Sequence, residues 1–235
     1  MKSLCTVSVA PIRAENSHQS EMTTQLLYGE SCEILETIGS FAKIKIDFDD
    51  YEGWVDLKQI APISDEDFAQ RKTEIVNRLF GVYDLMDGST LLSIGSELHS
   101  ETGNLLAKEI GSVASTALQF LNVPYLWSGR SFFGIDCSGF SQLVYKVHGI
   151  RLPREAHQQA ELGTVLDFLE EAVPGDLAFF ENKEGKISHV GIMLEDQKII
   201  HAFGKVRIDV LDSSGIFNKE LNQHTHQLRF LKRIG

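Results

Sequence analysis

The chain has 235 residues, 43% of them apolar, with 33 acidic against 22 basic side chains and a formal net charge of −11. That length holds one large domain or two or three small ones. The acidic balance, with no basic stripe to offset it, speaks against nucleic acid and favours a substrate that carries an amine. No apolar run reaches the roughly 18–20 residues that a bilayer span needs, so no membrane partner is expected. The opening "MKSLCTVSVAPIRAEN" alternates apolar and polar residues as a strand does and lacks the apolar core of a signal peptide, which makes a cytoplasmic protein the expectation. Three widely spaced cysteines, Cys5, Cys32 and Cys137, suggest no disulfide framework, and without a C-x-x-C pair no structural zinc is expected. Cys5 and Cys32 sit among apolar residues and read as buried, inert thiols.

Residues 1–62 read as short strands. "CTVSVA" alternates, "QLLYGESCEILE" holds a Gly-Glu turn between two apolar runs, and "FAKIKIDF" puts Ala42, Ile44 and Ile46 on one face. "DDYEGWVDL" adds a turn and another strand. So many strands in so short a stretch suggest a small barrel, because closure removes exposed edges. In residues 63–109, Ser64 with Asp67 resembles a helix N-cap, and Phe68, Ile75, Val76 and Leu79 recur at helical spacing. The Gly-, Ser- and Asp-rich stretch after them reads as turns and short strands, a connector or a degenerate second small barrel. Residues 110–235 place helices first ("SVASTALQFLN", "CSGFSQLVYKVHG", "REAHQQAELG") and strands after ("DLAFF", "HVGIML", "KIIHAF", "VRIDVL", "HQLRFLKRI"), an α+β pattern.

Within the second of these helices Phe140, Leu143, Val144 and Val147 form one apolar stripe, with Asp136 where an N-cap belongs and Gly149 at the end. Cys137 therefore stands in the first turn, among backbone N–H groups whose partial positive charge favours a thiolate and can hold an oxyanion. Taken alone, such a cysteine is more often an inert packing residue; a base within reach decides between the two. If Glu195, Asp196 and Gln197 form a three-residue hairpin loop, His201 opposes Gly191, and His189, Gly191 and His201 share one face. The two histidines are then diagonal neighbours about 7–8 Å apart at the backbone, a gap that rings can bridge. A two-residue loop would reverse the parity. The arrangement is that of a Cys–His site oriented by a third polar group. His18, His99, His148 and His157 read as surface residues, His224 and His226 of "QHTH" carry no metal expectation, and Arg154 reads as structural rather than catalytic.

The blocks "VPYLWSGRSFFGIDCSGFSQLVYKVHGIRLPREAHQQ", "PGDLAFF" and "ISHVGIMLEDQKIIHA" resemble the NlpC family of bacterial cell-wall cysteine peptidases over residues 110–235. The resemblance implies a papain-like α+β domain with Cys137 as nucleophile, His189 as base, His201 as the third polar residue and Tyr125 as a helper near the oxyanion. "LLYGESCEILE", "FAKIKI" and "YEGWVDL" resemble the bacterial SH3-like barrels fused ahead of such domains. The combination is similar to γ-D-glutamyl-L-diamino acid endopeptidases, which implies a small murein peptide as substrate, no cofactor and no metal. It also implies a pocket for the free amine of an N-terminal L-alanine, walled by Asp136, Ser138, Glu21 and Tyr51. One departure is Ser128, which takes the place of the first of two glycines common in the family. An acyltransferase or amidase on the same Cys–His–His core, a non-catalytic peptide-binding module, and zinc held by Cys137, His189 and His201 are the alternatives.

Overall fold

The computed structural model describes residues 2–85, 88–100 and 110–235, and it divides into two units, residues 1–110 with 128–133 and residues 111–127 with 134–235. No helix among the described residues is long and apolar enough to cross a membrane.

The first unit opens with β1 (Lys2–Cys5), β2 (Val9–Arg13), β3 (Met22–Leu27), β4 (Ser31–Ile38), β5 (Phe41–Ile46), β6 (Glu52–Asp56) and β7 (Ile60–Pro62). They form one antiparallel sheet in the order β3-β2-β6-β5-β4-β1-β7. Alternation does what it predicts in β5, where Ala42, Ile44 and Ile46 join Cys5, Ile12, Leu26, Cys32 and Val55 in the core. The single strand expected over "CTVSVA" is two strands. β1 pairs with β4 and β7 while β2 pairs with β3, so the chain changes partners across Thr6–Ser8. The Gly29 turn between β3 and β4 admits only glycine: its φ is 75°, and a Cβ there would run into the Glu97 carbonyl.

Beyond Pro62 the Ser64 side chain caps α1 (Asp65–Gln70) by accepting the Asp67 N–H. The longer helix expected through Leu79 does not form. Phe68 is the only large apolar residue in its first turns, and the β-branched segment β8 (Lys72–Ile75) pairs instead with β11 (Glu97–Ser100). β9 (Phe80–Leu85) and β10 (Gly88–Ser93) form a hairpin, and Val76, Leu92 and Leu98 make a small separate core. Residues 86–87 and 101–109 of the stretch read as a connector lie outside the described residues. Ser128–Phe133, read above as part of the peptidase domain, groups with the first unit. There Arg130 grips the Glu30 carboxylate through two bonds, at 2.7 and 2.8 Å, both side chains being 1% exposed.

The second unit holds α2 (Val113–Leu118), α3 (Cys137–Val147) and α4 (Ala156–Gln159), then β12 (Thr164–Leu166), β13 (Leu177–Glu181), β14 (Ile187–Met193), β15 (Lys198–Phe203), β16 (Lys205–Asp212), β17 (Gly215–Asn218) and β18 (Gln223–Arg233). The strands form one sheet in the order β12-β18-β13-β14-β15-β16-β17, and a further β17–β18 pairing joins its ends into a ring of six strands. Ala178, Phe180, Met193, Ile199, Leu211, Ile216 and Leu231 make one core of that ring. α3 lies on β14 and β15. Strands β13–β15 are thus buried on both faces, which is why they read as nearly unbroken apolar runs.

Candidate active site

Cys137 is the first residue of α3, and Asp136, extended at φ −94° and ψ 178°, caps the helix by accepting the Gly139 N–H at 2.7 Å. Phe140, Leu143, Val144 and Val147 are all buried, so the stripe that anchors the helix also fixes the position of the thiol. Backbone hydrogen bonds from Val190 and Ser138 reach the Cys137 sulfur, which sets it beside the strand residue that follows His189.

The hairpin has the register expected from a three-residue loop. Gly191 opposes His201, Ile192 opposes Ile200, and Asp196 and Gln197 take the left-handed conformation that closes the turn. His189 Nε2 and His201 Nδ1 lie 2.9 Å apart, both rings buried. Gly191 provides the room: a Cβ there would lie 2.6 Å from Ile199 Cδ1 and 3.0 Å from the His201 Cβ. From β16, Asp209 Oδ2 meets His201 Nε2 at 3.1 Å. Arg207 Nε donates to the same oxygen at 2.8 Å, and Asn218 Nδ2 donates to it at 3.3 Å.

This chain of contacts fixes where the protons sit. Burial would raise the Asp209 carboxyl, yet hydrogen bonds from His201 and Arg207 hold it below its usual range, so it is ionised and only accepts. His201 must then donate from Nε2. Burial lowers the His201 pKa against the pull of Asp209, leaving the ring neutral with its lone pair on Nδ1. His189 donates into that lone pair from Nε2, so the lone pair left on His189 is at Nδ1. Burial, with the charges His201 and His226 would carry, lowers His189 well below 6.5, and the base is neutral.

The thiol differs from the expectation of a preformed thiolate. Withdrawal from water and the charge of Asp136 push Cys137 up to about 12, against the smaller help of Val190, Arg154 and Ser138. The helix start is favourable to an anion, but one turn of partial charge does not outweigh that desolvation. Cys137 remains half-buried, whereas Cys5 and Cys32 are buried free thiols, each raised to about 12 chiefly by burial.

Asp136 is already engaged. Arg154, 2% exposed, pairs with both its oxygens, one contact being 3.0 Å, and also donates to Ser138 Oγ at 2.9 Å. The negative charge read as a wall for a substrate amine is therefore balanced inside the protein, and Arg154 is the residue that balances it. Tyr125 is half-buried. Burial, with the charges of Cys137 and Asp136, raises its hydroxyl to about 12, which keeps it a donor at neutral pH. Glu21 is exposed in the first unit, and Tyr51 packs against that unit's core. Ser128 has a φ of 61°, the left-handed conformation for which a glycine is the ready choice.

Two participants were not singled out from sequence. Asp209 was legible in principle, since the β15–β16 hairpin sets Arg207 opposite His201 and Asp209 two residues on, along the same face. His226, from β18, stacks on His189 with ring centroids 4.1 Å apart, a contact across the ring that no local pattern announces. Among the described residues, His189, His201 and His226 each bring a nitrogen to within 4.8 Å of the others, the one such group of potential metal ligands found there.

Residues 122–226 match the model of the NlpC/P60 family, and residues 12–60 match the bacterial dipeptidyl-peptidase Sh3 domain. A γ-D-glutamyl-L-lysine dipeptidyl-peptidase of Bacillus cereus is 42% identical over 37% of this chain and 27% of its own length. Its namesake in Bacillus subtilis is 41% identical over 46% of this chain and 38% of its own length. The matched part of this chain thus spans less than half the length of either relative. The crystal structure of an NlpC/P60 family protein from Bacillus cereus covers 99% of both chains with a TM-score of 0.80 at 20% identity, a likeness of fold. The helix-borne cysteine, the histidine hairpin and these matches together identify residues 122–226 as a cysteine-peptidase domain of the NlpC/P60 type, with a bacterial dipeptidyl-peptidase SH3 domain ahead of it.

Proposed function

We propose that this chain is a cysteine endopeptidase that cuts the γ-D-glutamyl–diamino acid bond of small murein peptides with a free N-terminal L-alanine. The observation that carries the reading is the Asp209–His201–His189 relay, which leaves a neutral lone pair on the strand residue next to the sulfur's own backbone partner. The two relatives' names favour a bond between γ-D-glutamate and a diamino acid.

With thiol and imidazole both neutral at rest, His189 acts as a general base when substrate arrives, rather than as half of a standing ion pair. The thiol proton passes to His189 Nδ1 as Sγ attacks the γ-carbonyl, and Asp209 steadies the positive charge that then spreads over the two rings. The Gly139 N–H is taken by Asp136. The Cys137 N–H at the helix start and the Tyr125 hydroxyl hold the oxyanion. The leaving amine takes the proton back from His189, and water resolves the thioester to release L-Ala-D-Glu. Since Arg154 neutralises Asp136, the requirement for a free substrate amine rests on the resemblance and on the relatives' names rather than on that carboxylate.

A recycling role in the cytoplasm belongs to the same proposal, supported by three cysteines that are all free. The test is incubation with L-Ala-γ-D-Glu-diaminopimelate, with and without an N-acetyl cap, in labelled water, read by mass spectrometry beside a Cys137→Ala control. The expected result is L-Ala-D-Glu carrying the label, from the uncapped peptide only, and no product from the variant. Equal cleavage of the capped peptide would overturn the amine requirement, and product from Cys137→Ala would overturn the mechanism.

A further inference from the structure

His226 takes no part in the relay, yet its ring lies over that of the base. It is tilted 26° from His189 at 4.1 Å and stands nearly perpendicular to His201 at 5.7 Å. Three imidazoles from three separate strands so close together are a costly arrangement for cations, and all three are held below the ordinary histidine pKa. Neutral imidazoles are what a borderline transition metal binds. The supports are also in place. Asp209 holds His201 by Nε2 and leaves Nδ1 as its lone pair. The Thr225 hydroxyl, which donates to the Ile216 carbonyl oxygen, meets His226 Nδ1 at 2.9 Å and leaves Nε2 of that ring as the ligand atom. Hydrogen-bonded second partners of this kind fix ring orientation in metal sites. His226 also lies on the wall of a groove of about 720 Å³ that Glu181, Ser188, Ser214, His224 and Gln227 line, which brings one edge of the group next to solvent.

We propose that His189, His201 and His226 form an inhibitory binding site for a divalent transition metal, zinc above all, beside this groove. Zinc takes nitrogens at about 2.0–2.1 Å, so ligand nitrogens about 3.3 Å apart suit it. The 2.9 Å pair has to open slightly, and the His226 ring has to turn toward it, within a group already inside 4.8 Å. The consequence follows from the tautomers. Binding to His189 Nε2 requires the proton there to move to Nδ1, and Nδ1 is the atom that serves as base. The metal therefore switches the peptidase off without touching the sulfur. No bond is made or broken beyond the coordination bonds and that proton's change of nitrogen. The inhibition rests on the catalytic reading above; the binding does not.

The experiment is a titration of chelator-treated protein with Co²⁺ as a spectroscopic probe and with Zn²⁺ in competition, for wild type, His226→Gln, Thr225→Val and His224→Gln, with thermal unfolding of each variant as a check of the fold. The expected result is one ion per chain with a visible absorption band, weakened at least about tenfold in His226→Gln and less in Thr225→Val. His224, which pairs with Asp212 at 2.8 Å on the same groove, serves as the control, and its variant should bind as wild type does. Zinc should abolish hydrolysis at the concentration that displaces Co²⁺, and chelation should restore it. Equal affinity in a folded His226→Gln, loss of binding in His224→Gln, or no binding below millimolar metal would each overturn the site. Because Co²⁺ absorption needs no substrate, a wrong substrate assignment would leave that test standing.

Discussion

Replacing Asp209 by Asn tests the relay most sharply, because it keeps the side chain's size and removes its charge. The carboxylate is 3% exposed, and its Oδ2 accepts from His201, Arg207 and Asn218 while Oδ1 accepts from Arg207 at 3.2 Å. An amide can satisfy the crowded side only by turning its NH₂ toward the second Arg207 donor, which sets donor against donor. Charge-assisted bonds of this kind are worth about 1.5–3 kcal/mol each. Arg207 keeps Glu220, which is 72% exposed and therefore a weak replacement. A stability loss of about 2–3 kcal/mol is expected from urea unfolding. The larger effect is catalytic. Without an ionised acceptor at Nε2, His201 can carry its proton on Nδ1 instead, which turns the His189 lone pair away from Nδ1. Outer partners of this kind change activity by about 10–100-fold, so kcat on the proposed tripeptide substrate should fall by that factor with KM nearly unchanged. Loss of the negative charge also disfavours the imidazolium, so the acid limb of kcat/KM should move to lower pH. Glu220→Gln should leave kcat alone. A folded Asp209→Asn with wild-type kcat and an unmoved acid limb would refute the reasoning.

Arg154→Met should cost about 3–5 kcal/mol in urea unfolding, because it strands the charge of Asp136, whose side chain is 10% exposed; a loss under about 1 kcal/mol would contradict the balance assigned to this pair. Ser128→Gly should stabilise the protein by about 1 kcal/mol by relieving its left-handed backbone, measured as a shift in the unfolding midpoint, and destabilisation would show that the serine side chain matters more than the strain. The pH dependence of stability follows from the lowered histidines. Unfolded rings take up protons near 6.5, while His189 stays neutral well below that value and His226 stays neutral down to about 4. Their contribution is complete above 6.5 and drains as the pH falls toward about 4, so the urea midpoint should drop between about pH 7 and about pH 5, and a flat midpoint would contradict it.

The sequence by itself determined whatever depends on near neighbours along the chain. The period of the apolar residues in α3 fixed its buried face, Asp136 fixed where it starts, and the three-residue loop fixed the parity that sets His189 and His201 on one side. Each follows from repeats of 3.6 or 2 residues, which are local properties of the backbone. The same local reasoning overreached after α1, where helical spacing alone could not reveal that Lys72–Ile75 has a strand partner more than twenty residues on. Only the tertiary structure decided the charge states: Asp136 looked available until Arg154 closed on it, and Cys137 looked like a thiolate until its burial was counted. It also brought His226 onto His189 from the far end of the domain, because closure of a six-stranded ring joins its last strand to earlier ones. Desolvation and ring closure are sums over residues distant in sequence, so no window along the chain contains them.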